Sequence, residues 1–363
     1  MKKTQSIICI VTILALLLFS NCQKQDYPNN PVQLFEKSDS IMPEKELALD
    51  CLFIASFTDM QWNNDYLILL DVKQENHFMS VVNIEEEQIV GKGVKKGKGP
   101  GEFGHLSEMH RGLKPGVVEF YDKTFMQYSR IVIDSLLQSF ESASKIITFN
   151  HKVPRLYSVM RMGKGHYVGS GSSKKGRFIH IESKGGKIQQ VNHLYDYPED
   201  KHPDLSREIK ALAYQLYFTK QPGGNYFMSA TNNGALLDFF TFKNEEINRI
   251  KSIVFYLPDY KVIDTEYAKA APKNGDSKMG FIDLASNKDY VFVVYSGKTI
   301  IETYLEDGLS QGKHVLVFNW KGKAIKHLKL ARAAAMIAVS ADSKKLYVAE
   351  TKPTKIMEYS LNL

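Results

Sequence analysis

The sequence predicts an all-β chain folded as a six-bladed β-propeller. A turn followed by a short apolar strand recurs six times, and these strands begin at Tyr66, Val117, Tyr167, Tyr226, Tyr290 and Leu346. The intervals between them are 51, 50, 59, 64 and 56 residues. Each interval is close to or a little above the ~40–50 residues of a four-stranded propeller blade. A seven-bladed ring would need one more interval than the chain supplies.

The composition agrees with a globular β protein. The chain has 363 residues, of which 44% are hydrophobic and 24% charged, so it can bury a sizeable core. Its 19 Tyr and 20 Phe residues favour strands. The formal net charge is +7, and the loss of Lys2 and Lys3 with an export signal would leave +5. A nucleic-acid-binding protein needs a concentrated basic surface with aromatic platforms, so this mild charge argues against that class.

The clearest single unit covers residues 65–103. Residues 66–72 form the first apolar strand, residues 78–84 its hairpin partner, and residues 88–91 a third strand. A glycine-rich loop at residues 97–103 then ends the unit. This order predicts one antiparallel blade followed by a connection to the next.

The other units repeat this order. The hairpin partners begin at residues 78, 128, 177, 236, 314 and 355, and third strands follow in most units, as at residues 187–194, 246–255 and 323–330. A further strand precedes each turn, at residues 52–58, 107–111, 156–162, 213–219, 280–285 and 336–340. The sequence therefore predicts four antiparallel strands per unit.

The sequence predicts only three strands for the last unit, the third of which ends just before Leu363. An open sheet edge invites aggregation, and closed propellers avoid it. Residues 32–36, Val-Gln-Leu-Phe-Glu, have strand character and follow the N-terminal region directly. We therefore expect this N-terminal strand to complete the last blade and close the ring.

The first residues predict export. Lys2 and Lys3 precede an apolar run at residues 7–19, which ends at Ser20-Asn21-Cys22. A basic head, a short apolar stretch and a small-residue region are typical of a signal peptide, whereas a spanning helix needs roughly 20 apolar residues. We assign residues 1–21 to the signal peptide and residues 32–363 to the propeller. Residues 22–31, rich in Gln, Asn, Pro and charge, form a flexible tether between them.

Residues 18–22, Leu-Phe-Ser-Asn-Cys, resemble the lipobox of bacterial lipoproteins, with Phe19 and Asn21 departing from its commonest residues. The resemblance implies that Cys22 is lipidated, carries acyl chains such as palmitate and anchors the protein to a membrane. By resemblance to enterobacterial sorting, Gln23 indicates the outer membrane, with either side of it left open. The alternative is an ordinary cleaved signal peptide. Once Cys9 is removed and Cys22 is acylated, Cys51 stands alone, so we expect no internal disulfide and a small buried Cys51.

The glycine-rich loop carries the one sharp motif. Gly99-Pro100-Gly101-Glu102-Phe103 resembles the loop between successive blades of NHL-repeat propellers. Together with the six units and the lipobox, it makes residues 32–363 similar to the TolB-like six-bladed propeller lipoproteins of Gram-negative bacteria. The resemblance implies a propeller fold at the cell envelope and does not name a ligand.

The predicted long connections lie on one face of the disc. In an antiparallel blade, the loops from the second to the third strand and from the fourth strand to the next blade emerge together. The long predicted connections all belong to these two types, at residues 92–104, 139–155, 195–210, 257–279 and 296–313. Binding sites commonly lie on long loops held by a rigid scaffold, although neutral loop growth is the alternative.

Two of these loops supply candidate ligand-binding residues: Lys96, Lys98, Glu102, Tyr195, Asp196, Tyr197 and His202. Lysines beside exposed backbone amides suit an anion, and aromatic residues beside acids suit a sugar or a peptide. The alternative for the first loop is structural, with glycines allowing tight turns and Phe103 wedged between blades. For the second loop, the alternative is ordinary loop packing.

A catalytic role is the competing hypothesis. Some six-bladed propellers are calcium-dependent lactonases, which hold an axial metal with acidic and amide side chains of the inner strands. Here Asp283 is the clearest inner carboxylate, and the chain has no His-x-His pair, His-Glu-x-x-His motif or Gly-x-Ser-x-Gly elbow. We therefore predict no catalytic residue, metal or cofactor. We expect a lipid-anchored envelope protein that binds a protein or glycan; a lactonase-like hydrolase with an axial metal is the alternative, and the oligomeric state stays open.

Overall fold

The structure is a computed structural model that describes residues 27–49, 57–138, 143–306, 310–351 and 354–363. It is 54% strand and 7% helix, and six blades form a ring. The predicted all-β, six-bladed propeller is therefore confirmed. The predicted signal peptide at residues 1–21, the lipidation site Cys22, and Cys51 lie outside the described residues.

Each blade is an antiparallel sheet whose first strand is innermost. Blade I contains Phe57–Asn63, Tyr66–Asp71, His77–Asn83 and Gln88–Lys95; blade II contains Leu106–Arg111, Val117–Asp122, Gln127–Val132 and Ser144–Thr148. Blade III contains Leu156–Gly163, His166–Gly171, Phe178–Lys184 and Lys187–Leu194; blade IV contains Leu216–Lys220, Tyr226–Thr231, Ala235–Lys243 and Glu246–Tyr256. Blade V contains Phe281–Ser286, Tyr290–Tyr295, Gly312–Asn319 and Ala324–Ala334; blade VI contains Met336–Val339, Lys345–Thr351 and Thr354–Ser360.

Short helices lie in the connections. They are α1 (Ile133–Leu137), α2 (Arg207–Ala213) and α3 (Ile300–Glu306). The two-residue strands Ile263–Asp264 and Lys269–Ala270 pair as a small hairpin between blades IV and V. Within the described ranges, no helix is long and apolar enough to cross a membrane.

The second strand of each blade gives the strongest sequence signal because neighbouring blades cover both of its faces. In blade I the four residues Leu67–Leu70 are all fully buried. A strand buried on both sides has a continuous apolar run rather than an alternating pattern. The observed second strands begin within one residue of the six predicted starts.

An N-terminal strand closes the ring, but the predicted segment was wrong. Lys45–Glu46 pairs antiparallel with the third strand of blade VI, and Ser38–Ile41 adds a parallel fifth strand to blade V. The predicted strand at residues 32–36 instead begins with a 3₁₀ helix, Pro31–Leu34. Proline at its first turn and the Asn30 side chain, which accepts a hydrogen bond from the Val32 N–H, favour this helix. Phe35 then packs edge-on against Phe318, with 5.6 Å between ring centroids.

Two other predicted boundaries differ from the structure. The predicted loop at residues 139–155 is wrong, because it contains Ser144–Thr148, the outer strand of blade II. Only residues 149–155 connect to the next blade; α1 precedes the strand on the opposite face. The first strand of blade I is Phe57–Asn63 rather than residues 52–58, of which residues 52–56 lie outside the described part of the chain.

The glycine-rich loop has the structural role given above as its alternative, with Phe103 wedged between two blades. Phe103 is buried between blades I and II, 5.1 Å from the Phe120 ring in an edge-on contact. Gly101 has a φ of +79°, a conformation that side-chain-bearing residues rarely adopt. The loop therefore joins the two blades through an aromatic wedge.

Candidate ligand site in the central channel

The innermost strands surround an axial cavity of about 230 Å³. Residues from blades I, II, IV, V and VI line it, and Ser310, in the long connection of blade V, lies at its wall as well. We call the face of the disc that carries the long connections the elaborated face. The inner strands begin at this face, and Ser310 lies in one of its connections, so the cavity reaches the elaborated face.

A repeated backbone irregularity occurs near the start of the inner strands. The pairing of the first and second strands shifts register between Phe57 and Asp59 in blade I, and between Leu156 and Ser158 in blade III. The same shift occurs between Phe281 and Asp283 in blade V. In blade II it spans residues 106–109 and includes Glu108. A β-bulge redirects the side chain beside it, so four blades present a polar residue at equivalent places.

Three of these polar residues are carboxylates that accept hydrogen bonds from the next blade. Asp59 Oδ2 lies 2.5 Å from the Met109 backbone nitrogen, and Asp283 Oδ2 lies 2.7 Å from that of Ile337. Glu108 accepts from the Val159 N–H at 2.8 Å and from the Ser158 hydroxyl at 2.7 Å. The innermost strand is a sheet edge with free N–H groups, and these carboxylates satisfy them.

Burial raises the pKa values of two of these carboxylates. It raises the pKa of Asp59 to about 6, although the Met109 N–H and His110 oppose the shift. It also raises the pKa of Asp283 well above its ordinary value, and the charge of Asp59 adds to the effect. For Glu108, the interactions with His110, Lys123 and Ser158 outweigh burial and lower its pKa.

Two polar atoms beside the carboxylates lack hydrogen-bond partners within the described residues. His110 is only 5% exposed and lines the cavity, and its Nε2 makes no hydrogen bond. Its distance to Glu108 Oε1 is 3.8 Å, too long for such a bond. The buried Oε1 atom of Gln61, which also lines the cavity, has no partner either.

The other end of the channel is basic. Arg111 and Lys220 end the inner strands of blades II and IV, and burial lowers their pKa values to about 10 and about 8. The Lys220 ammonium donates to the Arg161 carbonyl at 2.8 Å, and the Arg111 guanidinium lies 5.7 Å from the Trp62 ring. The channel is therefore acidic towards the elaborated face and basic towards the opposite face.

Of the three candidate residues in the glycine-rich loop, Lys96 and Glu102 make hydrogen bonds within blade I and its loops. The Lys96 ammonium donates to the carbonyls of Val72 and Gln74 and lies 4.8 Å from the Phe78 ring, so it fixes the neighbouring loop. Glu102 folds back to accept the Gly99 N–H at 2.8 Å, and this bond is the main reason that its pKa is lowered. Lys98 is exposed on the same loop.

Tyr195 and Asp196 begin the connection between blades III and IV. The Tyr195 hydroxyl accepts from the Arg249 N–H at 2.7 Å, and the Arg249 guanidinium stacks 4.4 Å from its ring. Asp196 pairs with Arg207, and this hydrogen-bonded ion pair lowers its pKa. Tyr195 therefore contacts the outer strand of blade IV, and Asp196 contacts helix α2, which precedes that blade.

Tyr197 and His202 pack around a hub at Asp200. The Tyr197 ring contacts that of Tyr214 at 5.2 Å, and the His202 ring contacts that of Tyr260 at 5.1 Å. Asp200 accepts hydrogen bonds from Tyr214 at 3.0 Å, Tyr260 at 2.9 Å and Lys210 at 3.1 Å, and from the His202 N–H at 3.0 Å. These bonds outweigh burial and lower its pKa. The connections at residues 195–215 and 257–280 are thereby joined into one ordered surface.

Large apolar side chains are exposed on the elaborated face near blade V. Tyr267 is 92% exposed in the small hairpin, and Tyr304 and Leu305 are 79% and 76% exposed on α3. Ile263 and Ile301 on the same elements are also exposed. We call these five residues the apolar rim.

Comparison with known proteins identifies the family. A family model described as "TolB-like 6-blade propeller-like" matches residues 35–342. The chain belongs to the TolB-like six-bladed propeller family. A search of curated proteins finds no match.

One solved structure agrees with the fold of this TolB-like propeller, and a second is less similar. A member of the DUF4221 family from Bacteroides vulgatus is 13% identical with a TM-score of 0.55, covering 89% of this chain and 97% of that one. The WD40 domain of Pan2 from Neurospora crassa is 11% identical with a TM-score of 0.47, covering 85% and 90%.

The lactonase alternative for this TolB-like propeller requires an axial metal. Within the described ranges, no three His, Cys, Asp or Glu side chains are grouped as metal ligands. Instead, the carboxylates of Asp59, Glu108 and Asp283 each hold a backbone N–H of the next blade.

The sequence analysis named Asp283 as the clearest inner carboxylate, without predicting a site there, and did not name Asp59, Glu108 or His110 of this TolB-like propeller. Asp59 fell one residue beyond the predicted inner strand at residues 52–58, whereas Glu108 and His110 lay within the predicted strand at residues 107–111. The spacing of the carboxylates was visible, since Asp59 and Glu108 are about one blade apart, but their side-chain directions depend on the bulges.

Proposed function

We propose that this TolB-like propeller is a lipid-anchored cell-envelope protein that binds a protein partner through its elaborated face. The propeller fold itself supports a binding or scaffold role. The observation that carries the proposal is the apolar rim, whose five side chains lie exposed on two adjoining connections. Exposed apolar groups of this kind mark interaction sites, and Tyr is favoured at protein interfaces.

The rim lies on an ordered support, which reduces the entropy lost on binding. The N–H groups of Ile300 and Ile301 at the start of α3 donate to the carbonyls of Ser277 and Gly275 at 3.1 and 3.0 Å. Thr299 and Glu302 cap α3 reciprocally, each side chain accepting the other's N–H. The hydrogen bonds to Asp200 join the connections at residues 195–215 and 257–280, and the second of these carries Ile263 and Tyr267. A partner would therefore meet a preformed surface.

The N-terminal anchor would hold this sector near the membrane. Tyr27 packs against Phe255, with 6.1 Å between ring centroids, and Asn29 lines a cleft with Leu257 and Asp276 at the elaborated face. Cys22 precedes Tyr27 by five residues, a stretch of chain that spans at most about 18 Å when fully extended. We place the protein at the outer membrane, with a partner that is itself close to the bilayer.

Site-specific photo-crosslinking in intact cells tests the proposal. A benzophenone amino acid replaces Tyr267 or Tyr304 in the full-length chain, and matched replacements are made at Val132 and Ile325. Both control residues are exposed, at 43% and 38%, near the opposite face. We expect one protein adduct of defined mass from the rim positions and none from the controls. Adducts to lipid alone, or equal adducts from both faces, would overturn the proposal.

Mass spectrometry of the mature N-terminus tests the anchor separately. A diacylated or triacylated Cys22 is expected after membrane extraction. An unmodified Cys22 would exclude lipid anchoring and leave the rim to be judged by crosslinking alone.

A further inference from the structure

The acidic end of the channel is a separate feature from the apolar rim. Asp59, Glu108 and Asp283 come from three blades and line the same cavity as Tyr217 of blade IV. Burial is the main reason that the Tyr217 pKa is raised, and the charges of all three carboxylates raise it further. Four blades therefore bring acidic or hydroxyl groups to one place around the axis.

Capping the inner sheet edges does not account for this concentration of acid. The corresponding position is Ser158 in blade III and Tyr217 in blade IV, so the ring forms without a carboxylate in every blade. Gathering carboxylates in a partly buried space costs free energy through desolvation and mutual repulsion. Residues that act against stability in this way are typical of ligand sites.

The orphaned atoms point in the same direction. His110 is 5% exposed and lines the cavity, and its Nε2 lies 3.8 Å from Glu108 Oε1 without a hydrogen bond. The Oε1 atom of Gln61, another lining residue, also lacks a hydrogen-bond partner within the described residues. Buried polar atoms usually find partners, and a missing partner indicates a ligand or ordered water. A carboxylate accepts about four hydrogen bonds, so Asp59 and Asp283 retain acceptor capacity beyond their backbone contacts.

We propose that the acidic end of the channel binds a small organic cation carrying an ammonium or guanidinium group. Such a cation has several N–H donors spread over a few ångströms, so it can contact carboxylates that lie apart. Within the described residues, the acidic groups are not clustered closely enough to be ligands of one metal ion. The cavity of about 230 Å³ admits a molecule of a few heavy atoms. His110 Nε2 and Gln61 Oε1 supply further polar contacts. The basic end at Arg111 and Lys220 orients the cationic group towards the elaborated face.

Isothermal titration calorimetry on the full-length protein in detergent tests this site. The probes are agmatine, putrescine and the neutral 1,4-butanediol. We expect at least one of the two cations to bind and butanediol not to bind. The double variant Asp59→Asn/Asp283→Asn keeps an oxygen acceptor for each backbone N–H and removes both carboxylates. It should weaken binding at least about tenfold, since losing the partner of a buried charge is costly.

The matched control is Glu86→Gln/Glu245→Gln, which makes the same change of charge at two exposed turns on the opposite face. It should bind as the unaltered protein does. Failure of both cations to bind, equal binding of butanediol, or unchanged affinity in the channel variant would overturn the proposal. Binding of calcium chloride that displaces the organic cation would overturn it in favour of a metal. Each result is independent of partner binding at the apolar rim.

Discussion

Asp59 and Met109 are 50 residues apart, yet Asp59 Oδ2 accepts the Met109 backbone N–H at 2.5 Å. The bond joins the inner strands of blades I and II. Glu108 makes the corresponding bond to Val159, 51 residues away, and Asp283 makes it to Ile337, 54 residues away. Each separation is one blade. The sequence repeat therefore appears in the channel as hydrogen bonds that join the inner strands of successive blades.

Removing one of these links should destabilise the ring. Asp283→Ala leaves the Ile337 N–H unpaired at the inner edge of blade VI, and a buried unpaired donor costs about 1–3 kcal/mol. Asp283→Asn retains an oxygen acceptor and should unfold at a similar or higher denaturant concentration than the unaltered protein. Chemical denaturation at pH 7 measures both. Equal destabilisation by the two substitutions would mean that the charge of Asp283, rather than its hydrogen bond, is needed.

Stability should depend on pH through Asp59. Its pKa is about 6 in the folded chain against 3.8 ordinarily, so the folded state binds more protons between these values. The stabilisation is present below pH ~4 and is lost as pH rises through about 6. Glu108, His110, Asp283 and Tyr217 line the same cavity as Asp59.

Melting temperatures between pH 4 and pH 7 test this sign. The melting temperature of the unaltered protein, relative to that of Asp59→Asn, should be highest at low pH, and this advantage should shrink as pH rises. A difference that grows with pH would contradict the raised pKa. Glu86→Gln, at an exposed turn, serves as the control and should show no such trend.

The Phe103 wedge should contribute strongly to stability. Phe103 is 2% exposed and packs edge-on against Phe120 between two blades. Phe103→Ala should cost about 3–5 kcal/mol, as for other buried aromatic residues. Lys98→Ala in the same loop should change the free energy of unfolding by less than about 0.5 kcal/mol. Similar effects of the two substitutions would contradict the wedge.

The fold was predictable where local sequence decides it. The second strands, such as Leu67–Leu70, are covered on both faces and therefore appear as uninterrupted apolar runs. The closing strand was misplaced because Lys45–Glu46 is short and polar, and its place is set by pairing with blade VI rather than by its own pattern. Val32 and Leu34 have the alternation of a strand, but Pro31 and Asn30 begin a 3₁₀ helix there.

The channel was less predictable than the blades. Register shifts beside Asp59 and Asp283 set which way the carboxylates point, and no local residue pattern reports such a shift. The loop residues were chosen for their chemistry alone. Lys96 and Tyr195 have suitable chemistry for a ligand, but their contacts with Val72 and Arg249 depend on neighbouring strands distant in sequence.

Ring closure predicts a graded effect of N-terminal truncation. Removal through Lys37 takes away the packing of Phe35 on Phe318 but leaves both added strands. Removal through Glu46 also exposes the outer edges of blades V and VI, so it should lower the melting temperature further and promote aggregation. Removal through Asp26 is the control and should leave the melting temperature unchanged. Size-exclusion chromatography and thermal unfolding measure the series, and equal behaviour of all three truncations would exclude closure by this segment.

The Asp200 hub links the fold to the proposed binding surface. Asp200 accepts hydrogen bonds from Tyr214 and Tyr260, on two different connections, at 3.0 and 2.9 Å. Asp200→Ala removes both, so residues 195–215 and 257–280 should exchange backbone hydrogen faster, while the blades keep their protection. A less ordered support raises the entropy lost on binding, so crosslinking from Tyr267 should fall as well. Asp196→Ala breaks an exposed ion pair with Arg207 and a hydrogen bond from the Tyr197 N–H but leaves the bonds to Asp200 in place, so both measurements should stay close to those of the unaltered protein. Faster exchange with undiminished crosslinking would show that partner binding does not require this support.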